Sequence, residues 1–237
     1  MTPVGQSYLL FQLQRIDSQG DSALQRIQEL DTRLADRDSE VAADHDAQAH
    51  QESLHEQQRE LRDLELQLGS VQEKLTTEER RLYAGRGAPR SQLESLHQEV
   101  ESLQGRVTEL EDAVLVAMEA VEEAAAAAAA AAQRAAAAQA AGAQNREALG
   151  HEKAEVEAQL RQLQRDRSAI TAQLTPASTA LYDRLRQQAG GIAVAEVAQG
   201  RCQGCRLTLP SHTIQQARQA NRLQQCPTCR RVLYIAL

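Results

Sequence analysis

The chain of 237 residues has no tryptophan, one phenylalanine and four tyrosines. A compact core of that length draws heavily on aromatic rings, so their scarcity excludes an ordinary globular domain. Lysine occurs only as Lys74 and Lys153. Neither stands in the Gly-Lys-Ser/Thr context of a phosphate-binding P-loop, which sets that type of nucleotide hydrolysis aside. Strongly apolar runs are missing as well. The alanine tract between Ala124 and Ala138 is weakly apolar and is interrupted by Gln133 and Arg134, so it is not read as a membrane span. Met1 to Gly20 has no basic start followed by an apolar core, hence no secretory signal is read there and the expected compartment is the cytoplasm.

Cysteine is absent from the first 201 residues and then occurs four times, as Cys202-x-x-Cys205 and Cys226-x-x-Cys229. Two such hooks at this separation point two pairs of sulfurs at one ion, the pattern of a tetrahedral thiolate site for Zn²⁺. Two disulfides would require an oxidising compartment. Iron is compatible with the spacing, but such knuckles usually carry Gly after the second Cys, where this chain has Arg206 and Arg230. Zinc is therefore favoured. A shell of four thiolates leaves zinc no open position, so the expected role is one structural ion and not catalysis.

Helix formers fill the rest. Apolar residues recur at Leu13, Ile16, Ala23, Ile27, Leu30, Leu34 and Val41, then after a phase slip at Leu54, Leu61, Leu68, Leu75 and Leu82, with Leu64 and Val71 between. This heptad seam predicts one long helix from about Thr2-Pro3 to Tyr83, with Gly20 as a candidate kink. Two glycines and a proline break it at residues 84–90. A second helix is expected from Ser91-x-x-Glu94, which has capping-box spacing. Its seam runs through Leu93, Val100, Val107, Val114 and Val121, with Leu96, Leu103 and Leu110 between, and resumes in phase at Leu149, Val156, Leu163 and Ile170. Two such helices joined by a short turn fold back as an antiparallel hairpin in which residue i faces roughly residue 173 − i. The predicted fold is an all-α elongated antiparallel coiled-coil hairpin (1–174), a connecting helix (175–189) opened by Thr175-Pro176, and a small C-terminal β zinc ribbon (190–237). Strands are expected at Ile192 to Val197 and at Arg231 to Ile235.

Charge is uneven. From Gly190 onward there are six arginines and one acid, Glu196, within a chain of net charge −7. A basic head on an acidic body suits an anionic partner. Arg201, Arg206, Arg218, Arg222, Arg230 and Arg231 are the candidate contacts to RNA, DNA or another anionic partner. The rarity of aromatic rings argues against base stacking as the main mode. His45, His50 and His55 are spaced five apart, which turns each by about 140° and puts them on different helix faces. They are not read as a metal site. Nothing forms a nucleophile–base–acid set, so no enzyme and no small-molecule substrate are expected.

The residues also carry a resemblance. Leu9-Leu10-Phe11-Gln12-Leu13-Gln14-Arg15-Ile16-Asp17, Leu82-Tyr83-Ala84-Gly85 with Leu93 to Leu103, Leu110 to Glu119, Tyr182-Asp183-Arg184-Leu185-Arg186 and the two cysteine hooks resemble a bacterial family with an N-terminal coiled-coil hairpin and a C-terminal C4 zinc ribbon. The resemblance implies a non-enzymatic adaptor that binds protein partners, with zinc ligands Cys202, Cys205, Cys226 and Cys229. Some similar proteins are associated with flagellar or type III secretion regulation and with RNA binding. The long alanine tract departs from the pattern.

Overall fold

A computed structural model describes residues 5–84, 89–219 and 223–236. The turn expected at 84–90 and the helix start at Thr2-Pro3 fall largely outside these. The described elements are α1 (Gln6–Ala35), α2 (Asp38–Ala84), α3 (Arg90–Thr171), α4 (Pro176–Gln188), β1 (Val194–Ala198), β2 (Arg201–Cys202), α5 (Ser211–Ala217) and β3 (Val232–Tyr234). The fold is a coiled-coil hairpin of long helices followed by a small ribbon, as the heptads and cysteines require.

Two compact units share this chain. One contains residues 37–145, and the other contains residues up to 36 together with 146–237. This division cuts across the boundaries drawn from the sequence, which separate hairpin from ribbon. Packing instead gathers α1, the end of α3, α4 and the ribbon around one core.

In the unit of residues 37–145, α2 runs antiparallel to the first part of α3. Lys74 meets Glu99, the residue expected opposite it. Arg134 and Gln139 reach Asp46 and Asp44 from two to three turns beyond the expected Ala127 and Ala129. Helical side chains lean towards their own N-terminus, so antiparallel partners reach back to each other in this way. The α3 seam is buried or half-buried at every predicted position, and Ala128, Ala131 and Ala135 continue it through the alanine tract.

The N-terminal arm differs from one continuous helix. It breaks at Asp36 and Arg37, with Asp36 extended at φ −69°, ψ 120°. The phase slip in the heptads is this break. It re-phases α2, so that Glu40 is buried and Val41, expected in the seam, is 63% exposed. α1 passes through Gly20 unbroken, so the helix does not fray there. Ser91 lies within α3 and forms no capping box. The first turn bonds to the Pro89 carbonyl, and Glu94 pairs with Arg90.

In the other unit, the core consists of Leu9, Leu10 and Leu13 of α1, Leu174, Tyr182 and Leu185 on or near α4, and Ala193, Val194 and Val232 of the ribbon. Thr175 caps α4 by accepting from the Ser178 N–H, and Pro176 follows in the first turn, as expected. Gly190 (φ 64°) and Gly191 (φ 90°) end it, with the Gly191 N–H bonded back to the Arg186 carbonyl. That is a Schellman closure, which needs residues free to adopt the left-handed region. The sheet order is β2-β1-β3, antiparallel between β1 and β2 and parallel between β1 and β3. Both strands are slightly shorter than the runs read from the sequence.

Candidate metal centre

Two knuckles with the same backbone design carry the cysteines. In the first, the Arg206 N–H donates to the Cys202 carbonyl at 2.7 Å and the Cys202 N–H donates to the Leu207 carbonyl at 3.0 Å. In the second, the Arg230 N–H donates to the Cys226 carbonyl at 3.0 Å and the Cys226 N–H donates to the Arg231 carbonyl at 2.9 Å. Each loop thus turns back on its first cysteine, which aims both sulfurs to one side. The closing residue must be left-handed: Arg206 has φ 62° and Arg230 φ 61°. Glycine usually fills such positions because a Cβ costs about 1–2 kcal/mol there.

All four sulfurs lie within 4.8 Å of one another. The Cys202–Cys229 and Cys205–Cys226 sulfurs are each 3.8 Å apart. Four thiolates at about 2.3 Å from a tetrahedral zinc stand ~3.8 Å from each other, so the donor set fits the ion. Cys202 and Cys226 are buried, while Cys205 and Cys229 are half-buried. Burial pushes the Cys202 thiol up to about 12. Burial opposes ionisation of Cys226 too, but the N–H groups of Cys229 and Thr228 and the neighbouring sulfurs bring it down to about 7. Zinc, when bound, exchanges these protons for four metal–sulfur bonds and ties the two knuckles together. Among the described residues no other cluster of His, Cys, Asp or Glu is placed to hold a metal.

The core under the knuckles is small. Ala195, Leu209, Ala217 and Leu233 are buried beside Cys202 and Cys226 themselves. So few apolar side chains do not fold a domain alone, and a structural metal is the usual remedy.

The candidate arginines separate into three groups. Arg201, Arg206, Arg218 and Arg230 are exposed. Arg222 lies outside the described residues. Arg231 is placed differently from the surface contact expected of it. Its guanidinium donates to the carbonyls of Ile192 (2.9 Å), Gly204 (3.0 Å) and Ala189 (3.1 Å). It therefore clamps the second knuckle to the first and to the loop after α4. Gly204 makes room for this, because a Cβ there would stand 2.8 Å from Arg231 Cδ and 3.0 Å from Ala195 Cβ.

Sequence reasoning missed the polar groups that seat the ribbon. Gln14 of α1 is buried. Its Nε2 donates to the Gly191 carbonyl at 2.8 Å, and its Oε1 accepts from the N–H groups of Ala193 (2.5 Å) and Val194 (3.3 Å). One side chain thus imitates the edge of a strand. Nearby, buried Asp17 accepts from Tyr182 Oη and from Arg167 Nε. The sequence signals were the position of Gln14 and Asp17 on the apolar face of α1 and their place in the Leu9 to Asp17 stretch that carries the family resemblance.

Comparisons agree with this architecture. Residues 13–190 match the family described as the CT398-like coiled coil hairpin domain, and residues 201–233 match the C4-type zinc ribbon domain. The Mycobacterium tuberculosis proteins MT2288 and Rv2229c are each 32% identical to this chain over 145 residues. That match covers 60% of this chain and 58% of each relative. The structure of CT398 from Chlamydia trachomatis superposes with a TM-score of 0.75 at 15% identity, over 98% of both chains. A Mycobacterium smegmatis structure gives 0.67 at 21% identity, over 96% of this chain and 97% of that one. At these identities the likeness shows the fold.

Proposed function

Because the chain belongs to the CT398-like coiled-coil hairpin family and carries a C4-type zinc ribbon, we propose that it is a non-enzymatic cytoplasmic adaptor that binds protein partners. The ribbon's chemistry supports this reading, since its single metal centre has four thiolate donors and no position for substrate. Zinc makes the head fold, and binding is the work of the surfaces around it. The hairpin offers side chains suited to that role. Leu115, Val116 and Met118 of α3 and Leu66 of α2 are exposed. Among the described residues no helix is long and apolar enough to cross a membrane.

Affinity purification from the native cell, with and without nuclease, tests the proposal. A protein partner should survive nuclease treatment and be lost when Leu115 and Val116 are both changed to Gln. Recovery of nothing but nuclease-sensitive material would reject the adaptor reading.

The exposed arginines Arg201, Arg206, Arg218 and Arg230 favour one alternative, an RNA- or DNA-binding regulator. Affinity would then fall with salt, with a log–log slope of about −0.7 per phosphate contact on single strands. Absence of binding at low salt would remove this reading.

A further inference from the structure

The face of the second knuckle turned towards α4 bounds a cleft of about 650 Å³. Arg184 and Gln188 of α4, His212 of α5, and Gln224, Gln225 and Arg230 beside the zinc hook give it its polar character. Among the described residues no carboxylate lines it. No described residue forms an ion pair with Arg184 or Arg230. Around this core Arg167 is spent on Asp17, Arg186 on Asp21 and Arg231 on three backbone oxygens, whereas the exposed Arg201, Arg206 and Arg218 do not line the cleft. Arg184 sits between the paired residues Tyr182 and Arg186 yet faces the cleft.

We propose that this cleft binds an extended acidic peptide segment of the partner protein, with carboxylates on Arg184 and Arg230 and peptide backbone on the glutamines. The inference rests on the adaptor reading and names the chemistry of its partner. Guanidinium forks match carboxylate geometry and hold it by charge-assisted bonds. Carboxamides offer a donor and an acceptor together, which is what a peptide backbone needs. Gln14 makes that very pairing with Gly191, Ala193 and Val194 inside this molecule. A nucleic-acid strand fits less well, because no Phe, Tyr or Trp ring lines the cleft to stack a base.

The test uses the full-length zinc-loaded protein and fluorescein-labelled hexaglutamate, followed by fluorescence anisotropy, with hexaglutamine and single-stranded oligouridylate as competitors. Hexaglutamate should bind. Arg184→Gln should weaken it about tenfold, the loss of one charge-assisted pair. Gln188→Glu, which puts a carboxylate into the cleft, should weaken it at least as much, whereas Arg201→Gln should not. Arg184 and Gln188 are exposed, so zinc content and helicity should be unchanged in their variants, and Arg230→Asn keeps a residue tolerant of the left-handed backbone. No hexaglutamate binding, binding indifferent to Arg184, or equal displacement by oligouridylate at matched charge would overturn the proposal. If hexaglutamate fails while a nuclease-resistant partner is still captured, the cleft assignment falls and the adaptor reading stands.

Discussion

The Tyr182 hydroxyl donates to Asp17 Oδ2 at 2.9 Å, joining α4 to α1 across 165 residues of sequence. Asp17 also accepts from Arg167 Nε at 2.8 Å, and Arg186 Nη1 stands 3.5 Å from its Oδ2. Arg186 in turn holds Asp21. Asp17 is buried, so each of these donors offsets its desolvation. Tyr182→Phe should cost roughly 1–2 kcal/mol, and Asp17→Ala more, because it leaves a buried hydroxyl and two guanidinium groups short of a partner. Denaturant titration followed by far-UV circular dichroism measures both.

The same contact fixes a pH dependence. Burial first, and then the Asp17 charge, raise the Tyr182 phenol above its ordinary value. The folded state therefore keeps the proton where the unfolded chain, with a phenol near pH ~10, releases it. The Tyr182 contribution is complete below about pH 10 and is lost as pH rises beyond it. The stability gap between wild type and Tyr182→Phe should narrow above that pH. A gap that stays constant would show that the phenol is not held in this way.

Gln14 gives a sharper case, because Gln14→Glu changes one group at constant size. The donor to the Gly191 carbonyl becomes an acceptor, and a charge enters a buried site. A loss of roughly 2–3 kcal/mol is expected. Hydrogen exchange should speed at Ala193 and Val194, whose N–H groups lean on this side chain. The loss should be small in α2, which lies in the other compact unit.

The heptads made the long helices legible, and the cysteine spacing made the metal centre legible, because both signals are local and periodic. What stayed hidden is not periodic. Gln14 and Asp17 read as polar residues on a helix, and only their burial against Gly191 and Tyr182 reveals their role. Arg231 reads as surface charge, yet it is spent on three carbonyls. Val41 fits a seam by its type, but the break at Asp36 and Arg37 rotates it outward. The stretches Leu9 to Asp17 and Tyr182 to Arg186, which carried the family resemblance, turn out to be two halves of one joint.

That joint changes what zinc removal should do. Val194 and Val232 belong to the core shared with Leu10, Leu13 and Tyr182. Cys226→Ser, or chelation, should therefore unfold the ribbon and loosen the start of α1 and α4, while α2 and most of α3 keep their helicity. Limited proteolysis would cut first within 176–200, and far-UV ellipticity would fall only slightly. Acidification should release the metal as well, since the ligands bind as thiolates and protons compete for them.

The knuckle arginines are a place where stability can be gained. The left-handed backbone costs an arginine about 1–2 kcal/mol, and the looser unfolded chain of a glycine takes back about 0.5–1. Arg206→Gly should therefore stabilise the ribbon by roughly 0.5–1 kcal/mol and slow zinc loss to a chelator. Gly204→Ala should do the opposite. Its methyl group would collide with Arg231 Cδ, which three hydrogen bonds hold in place, and with Ala195 Cβ. A loss of roughly 1–3 kcal/mol is expected from that overpacking. Equal zinc release rates in the two variants would contradict the geometry.

Alanine at the seam of α3 sets how closely α2 can approach. Ala131 is fully buried, whereas its neighbour Ala130 is exposed. Ala131→Leu would insert three carbons where the seam has no room, at a cost of roughly 1–3 kcal/mol. Ala130→Leu adds the same atoms on the outer face and should stay within about 0.5 kcal/mol of wild type. Thermal unfolding followed at 222 nm distinguishes the two. If both variants behaved alike, the alanine tract would be a plain helical spacer. A difference in the stated direction makes it a packed part of the hairpin, in phase with Leu110 before it and Leu149 after it.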